Sequence, residues 1–209
     1  QDAFPHRYGH TINTQALYYK VLTLSRMKKE AEKLKKSVNE DEDRGLWNKN
    51  FYLPWRWKNH GKYHEKGEWF DSLGNLLAII FELADEKRAE KILEHIKRKR
   101  IDEPYPVRTI DPPIYPGSKD WQDYFKDCDA GIPYHYSNAG VWTFIGGFYV
   151  LALIKLKRFK EAEKELEKLA EANLKGNFPE WIGVDKKTHG KLQAWNAGMY
   201  ILAYNSLKK

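Results

Sequence analysis

Residues 134–149 read YHYSNAGVWTFIGGFY. An aromatic, polar loop runs here straight into an apolar helix with glycines at its start and middle. The segment from Ala139 to Leu156 is apolar nearly all round, so the helix it predicts is covered on every side. A second segment of this kind, Ser72 to Ala84, reads SLGNLLAIIFELA. Each is followed closely by an amphipathic helix. One spans Glu86 to Lys99, through Ala89, Ile92, Leu93 and Ile96; the other spans Phe159 to Leu174, through Phe159, Ala162, Leu166 and Leu169. A buried helix followed by a half-exposed one is how a double ring of helical hairpins is built.

Two further helices complete the pattern. The first runs from Thr11 to Val38 as one piece, with Ile12, Leu17, Val21, Leu24 and Met27 near helical spacing and a charged second half. The last runs from Leu192 to Leu207. Strand signals are weak, so the class is all-α: six helices in a single domain, 1–209. On the Phe159–Leu174 helix, Glu161 with Lys164 and Glu165 with Lys168 form i,i+3 pairs on the wet face, and Gly176 stops it. Two long loops, Glu40 to Glu68 and Ile101 to Ala139, both precede the buried helices. In a ring they share one end, and long loops in compact domains are usually functional.

Composition narrows the function classes. The net charge of +7 over 209 residues invites a nucleic-acid reading. The cations, however, are interleaved with acids, as in KEAEKLKK and KEAEKELEKL, which makes solvated, salt-bridged faces. No nucleic-acid partner is expected. The apolar run Val141 to Ile154 is too short to cross a bilayer, so no membrane partner is expected either. The lone Cys128 excludes an internal disulfide and a CxxC metal site, which suits a reducing cytoplasm. Abundant Lys and Glu with few Met and Cys fit a heat-adapted organism. GxSxG, GxGxxG, P-loop and HExxH motifs are all missing, and no metal or cofactor is expected.

What remains is a set of aromatics, amides and one carboxylate near helix starts. Glu180 lies in FPEW, after Pro179 and before Trp181, where a carboxylate fixed in an aromatic wall could deprotonate a water. Gln193 and Trp195 open the last helix. Asp71, in WFDSLGN, could cap the following helix or hold a sugar hydroxyl. The first long loop carries Trp47, Phe51, Tyr52, Trp55, Trp57, Tyr63, Trp69 and Phe70, either as stacking platforms for pyranose rings or as the loop's own small core. His135 and His189 read as hydrogen-bonding loop residues.

Together these motifs resemble the (α/α)6-barrel glycoside hydrolases, especially the alkaline/neutral invertases and the glycogen-debranching, amylo-α-1,6-glucosidase-like enzymes. The family's YHNGGxWP loop is similar to Tyr136, Ser137, Asn138, Ala139, Gly140, Val141, Trp142 and Thr143. Its WPEYYD-like segment is similar to Phe178, Pro179, Glu180 and Trp181, and its Q-x-W to Gln193 and Trp195. WFDSLGN resembles an FDTLGN-type segment. GHTINTQALYY resembles GHPLEIQALFY, keeping Gly9, His10, Gln15, Ala16, Leu17 and Tyr19. The resemblance implies an α/α toroid in which these six helices form about half of an (α/α)6 barrel. It implies Glu180 as the general base of an inverting hydrolysis of an α-glucosidic or related bond. Tyr136, Asn138, Trp142, Trp181, Gln193 and Trp195 would contact a carbohydrate substrate, with Asp71 and Gln15 added. Ser137, Ala139, Thr143 and Asn13 depart from the family's His, Gly, Pro and Glu, which bears on sucrose specificity more than on the barrel.

A full barrel has twelve helices, and the matched motifs belong to its C-terminal half. The general acid of such enzymes lies in the N-terminal half, which implies a partner: an N-terminal half or second chain that completes the barrel. The alternative is a non-catalytic carbohydrate-binding or structural half-barrel. An isomerase or epimerase on a related toroid would expect paired histidines near its centre.

Overall fold

The computed structural model describes residues 5–40, 44–57 and 65–209. The chain divides into two compact units, Arg7–His95 and Ile96–Lys209, the latter joined by Pro5 and His6. Seven α-helices are present among the described residues, with strands of only two residues each.

In the first unit, the expected helix from Thr11 to Val38 is two helices, α1 (Ile12–Leu24) and α2 (Lys28–Val38). Arg26 takes a left-handed conformation, φ 60°, and breaks the run. Its N–H reaches the Thr23 carbonyl at 3.2 Å while that of Met27 reaches Leu22 at 2.9 Å. Those two bonds close a Schellman turn, here without glycine. Apolar residues recur at near-helical spacing through Met27, so spacing alone does not show the break; Met27 is the N-cap of α2. Next comes α3 (Ser72–Ile80), buried along nearly its whole length. It ends at Ile80, earlier than the expected Ala84, ahead of a left-handed Glu82 with φ 65°. Most of α4 (Glu86–Arg98) also belongs here, burying Ala89, Ile92, Leu93 and His95.

The long loop between α2 and α3 supplies its own core. Trp47, Phe51, Tyr52, Trp55, Trp69 and Phe70 are all buried. Phe51 packs edge-on against Phe70. Asn75 of α3 clamps Tyr52 by accepting its N–H at 2.8 Å and donating to its carbonyl at 3.0 Å. Of the aromatics expected as sugar platforms, only Trp57 is exposed, and Tyr63 lies outside the described residues.

The second unit is built on α5 (Thr143–Lys155), which packs against both α6 (Phe159–Lys175) and α7 (Ala194–Leu207). The all-round apolar surface of α5 is covered accordingly. On α6 the expectation of a wet Glu165–Lys168 pair needs correction. The pair exists at 2.9 Å, but the Glu165 side chain is only 1% exposed. Lys97 Nζ bonds Glu165 at 2.8 Å and Asp102 at 2.6 Å, and the Tyr149 hydroxyl donates to Asp102 at 3.4 Å. Two ammonium groups and a phenol thus compensate two buried carboxylates, the condition for such a cluster to be tolerated. Glu161 pairs with Arg158 rather than Lys164.

Gly176 is the C-cap of α6, but the left-handed residue that ends the helix is Asn177, φ 51°. Asparagine tolerates this conformation well. The Phe178 N–H then returns to the Asn173 carbonyl at 2.7 Å, which launches the FPEW segment from a fixed point.

The first and last helices each leave an apolar face in solvent. On α1 these are Leu17, Tyr18, Val21 and Leu24; on α7, Trp195, Ile201, Leu202 and Tyr204. No helix among the described residues is long and apolar enough to cross a membrane.

Candidate active site

The second unit brings the two sugar-type motifs together through their backbones. Val141 and Ile182 exchange both hydrogen bonds, each at 2.9 Å. Trp181–Ile182 pairs in turn with Thr188–His189 as a hairpin, in the register Trp181 to His189. A tight connection closes it: Gly183 and Lys187 share a 2.9 Å bond, and the Lys187 N–H caps the Asp185 carboxylate at 3.0 Å. That N–H, followed by the Lys187 side chain, holds the Asp185 carboxyl below its ordinary value. On the other side of Val141, the Thr109 N–H donates to Gly140 at 2.9 Å. This pairing explains why α5 starts at Thr143 and not at Ala139, since residues 139–142 are needed as an extended strip.

The loop before that strip is unusually constrained. Tyr134, Tyr136 and Ala139 all have positive φ, 67°, 43° and 69°. Such geometry costs of order 1–3 kcal/mol per residue and persists only where the surroundings over-determine it. Here Asn138 does much of the holding. Its Oδ1 accepts from Ile114 N–H at 2.7 Å, and its Nδ2 donates to the carbonyls of Ile114 at 2.8 Å and Ala130 at 3.0 Å. The Trp142 indole N–H donates to the Tyr136 carbonyl at 3.1 Å. At Gly140 a Cβ would sit 2.4 Å from the Tyr136 oxygen, so no other residue fits.

A wall of rings results. Tyr136 meets Trp142 at 5.2 Å between centroids and Trp181 at 6.4 Å. Trp181 is covered on one face by His189, stacked at 3.7 Å and 2° from parallel. His135 approaches Trp181 at 5.2 Å and His189 at 6.1 Å. Among the described residues the His189 Nε2 is buried with no hydrogen-bond partner, and the ring packs as part of the wall.

Glu180 stands at the foot of the hairpin. Its N–H donates to the His189 carbonyl at 2.8 Å. Gly190, φ 65°, leaves room beside it; a Cβ there would lie 2.8 Å from Glu180 Cβ and 3.3 Å from its Oε2. The side chain is half-buried, and among the described residues its carboxylate has no hydrogen bond or ion pair. A backbone fixed on both sides and a carboxylate left uncommitted are the features a water-activating base requires.

The other expected contacts sort themselves by what they already touch. Tyr136, Trp142 and Gln193 are half-buried and Trp195 is 50% exposed. Trp181 is 2% exposed, behind His189, and therefore backs the wall; Asn138 is fully buried and organises the loop. Asp71, in the first unit, is also fully buried. It caps α3 through Gly74 N–H at 3.4 Å and pairs with Arg7 at 3.1 Å. Gln15, half-buried on α1, belongs to the same unit. Sequence reasoning missed Gly190 and Asn196, and it read His189 as a hydrogen-bonding loop residue where the structure stacks its ring on Trp181. The one available signal was an isolated amide in the first turn of an otherwise apolar helix, Asn196 after Trp195.

Comparison with known structures defines the class. The chain superposes on a GH63 mannosylglycerate hydrolase from Thermus thermophilus in complex with glucose. The TM-score is 0.65 at 13% identity, covering 93% of this chain and 47% of that one. The same enzyme with Tris and D-glycerate gives 0.63 at 14% identity, over 93% and 45%. The fold is therefore all-α, of the α/α-toroid class. Residues 64–209 match the model of the glycoside hydrolase 100 family, alkaline and neutral invertase, and the chain belongs to that family. A mitochondrial neutral/alkaline invertase 1 of Oryza sativa subsp. japonica is 31% identical over 114 residues, 54% of this chain and 18% of that protein. A chloroplastic alkaline/neutral invertase E of Arabidopsis thaliana is 27% identical over 142 residues, 64% and 22% respectively. The matches thus span about a fifth of these relatives' lengths and about half of the solved hydrolase.

Proposed function

We propose that this chain carries the water-activating half of a glycoside hydrolase that cleaves an α-glucosidic or related bond with inversion. Glu180 is the general base. The general acid comes from outside these residues, from an N-terminal half or a partner chain. In such a reaction the base removes a proton from water as it attacks the anomeric carbon. The acid, on the opposite side, protonates the leaving oxygen, the two carboxyls standing roughly 6.5–9.5 Å apart to admit the water. Tyr136, Trp142, Gln193 and Trp195 contact the sugar, while Trp181 and Asn138 hold that surface in shape.

The observation that carries this reading is the contrast at Glu180: a pinned backbone bearing an uncommitted, half-buried carboxylate beside an aromatic wall. The plant relatives are named invertases. Ser137, Ala139 and Thr143, which depart from the expected loop, are where a different sugar would be accommodated, so the assignment is to a bond class. The test is stereochemical. Proton NMR of the sugar first released by the complete enzyme should show the anomer opposite to that of the substrate. Release of the retained anomer overturns the inverting arrangement, and sugar binding with no turnover favours a non-catalytic subunit.

A further inference from the structure

Glu180 is preceded by a segment held in an unfavourable shape. Asn177 and Phe178 both have positive φ, 51° and 57°, and a bulky residue before proline would ordinarily be extended. The entrance of α7 grips this segment carbonyl by carbonyl. Leu192 N–H donates to Asn177 at 2.8 Å, Gln193 N–H to Phe178 at 3.0 Å, and Asn196 Nδ2 to Pro179. Among the described residues Asn196 is the one side chain in the clamp, and it bonds the carbonyl immediately before Glu180. It is 1% exposed, in the first turn of α7. Among the described residues its Oδ1 is buried without a hydrogen-bond partner. The amide is oriented by this bond, because only Nδ2 can donate to a carbonyl. An orphaned acceptor is unfavourable in a core, so packing alone would prefer an apolar residue here. The donor is what the position requires.

We propose that Asn196 is a positioning residue for Glu180, fixing the carboxylate through the Pro179 carbonyl. This rests on Glu180 being the base. A displacement of about 1 Å at a reacting group can cost on the order of 100-fold in rate. In the complete enzyme, Asn196→Leu should lower kcat by about 10- to 100-fold with KM within about threefold, the pattern of a lost transition-state interaction. Asn196→Ser, which keeps a donor, should recover part of that loss. In a Glu180→Gln background, Asn196→Leu should add no further loss, since the two act as one unit. If Asn196→Leu does not fold, Asn196→Ala carries the same expectations. The proposal is overturned by an unchanged kcat. It is equally overturned by a loss shared between kcat and KM that serine does not relieve and that recurs in the Glu180→Gln background. The two readings fail separately. An active Glu180→Gln enzyme removes the base and the positioning role together; an inactive one with wild-type kcat in Asn196→Leu removes only the positioning role.

Discussion

His189 lies flat on Trp181, 3.7 Å between ring centroids and 2° from parallel, across the hairpin that also carries Glu180. Directly opposed pairs of this kind are the unit of stabilisation in a two-stranded ribbon, and stacked rings add about 0.5–1.5 kcal/mol beyond their buried area. His189→Ala should therefore cost about 1–2 kcal/mol in urea unfolding. His189→Phe keeps the stack, removes the unpartnered Nε2, and should retain wild-type stability.

Gly190 is the second support of Glu180. A side chain here must adopt φ near 65° and bring its Cβ to 2.8 Å from that of Glu180. Gly190→Ala should lower turnover of the complete enzyme by roughly tenfold or more, as expected for a displaced reacting group. Sugar affinity, which the proposal assigns to Tyr136, Trp142, Gln193 and Trp195, should change little by calorimetry. An alanine variant with normal kcat would show that the carboxylate does not need this space.

The buried ion cluster makes the second unit sensitive to charge and to alkali. Lys97→Met leaves Asp102 without its ammonium partner and Glu165 with Lys168 alone, and should destabilise by about 3 kcal/mol. Burial by itself would lower the Lys97 ammonium, but the hydrogen bonds and charges of Asp102 and Glu165 outweigh it and raise it above the ordinary lysine value. Burial, then the Asp102 charge, pushes the Tyr149 hydroxyl far up, and burial with Glu171 pushes Tyr105 up to about 12. All three favour the protonated form in the folded state. Their contribution is complete below about pH 10, the ordinary tyrosine and lysine range, and is lost as pH rises through the raised values. Denaturation midpoints should hold steady from neutral pH to about pH 10 and fall above it; Lys97→Met should flatten that fall.

The apolar faces of α1 and α7 predict the behaviour of the 209-residue chain by itself. Leu24 is 70% exposed, and Ile201 and Leu202 are 57% and 49% exposed. Clustered exposure of this kind marks association surfaces. By light scattering the chain should exceed its monomer mass of 24.7 kDa, and Ile201→Lys with Leu202→Lys should shift it toward that mass without lowering its melting temperature.

Much of this architecture was legible in the sequence because it rests on periodicity. The all-round apolar segments around Ala78 and Val150 became α3 and α5, and the one-sided segments became α4 and α6. What escaped were features decided by single backbone conformations. Arg26 turns left-handed without glycine, so the α1–α2 break left no compositional mark; at the end of α6 Gly176 marked the stop, but not the left-handed turn at Asn177 that follows it. Glu165 escaped for another reason. Its i,i+3 partner is as expected, but its burial depends on Lys97 and Asp102, which approach from outside the helix. At the site, the loop around Tyr136 and the FPEW segment were visible as motifs. Their joining through Val141 and Ile182, and the clamp through Asn196, are long-range pairings that no local pattern encodes.

The most direct measurement of the central claim is turnover and sugar binding by the complete enzyme with Glu180→Gln. Glutamine keeps the shape of the side chain and loses the base. We expect hydrolysis to fall by at least about 1,000-fold, within the range supplied by a general base, while calorimetric affinity for the sugar stays within about threefold. Near-normal hydrolysis by Glu180→Gln would contradict the account.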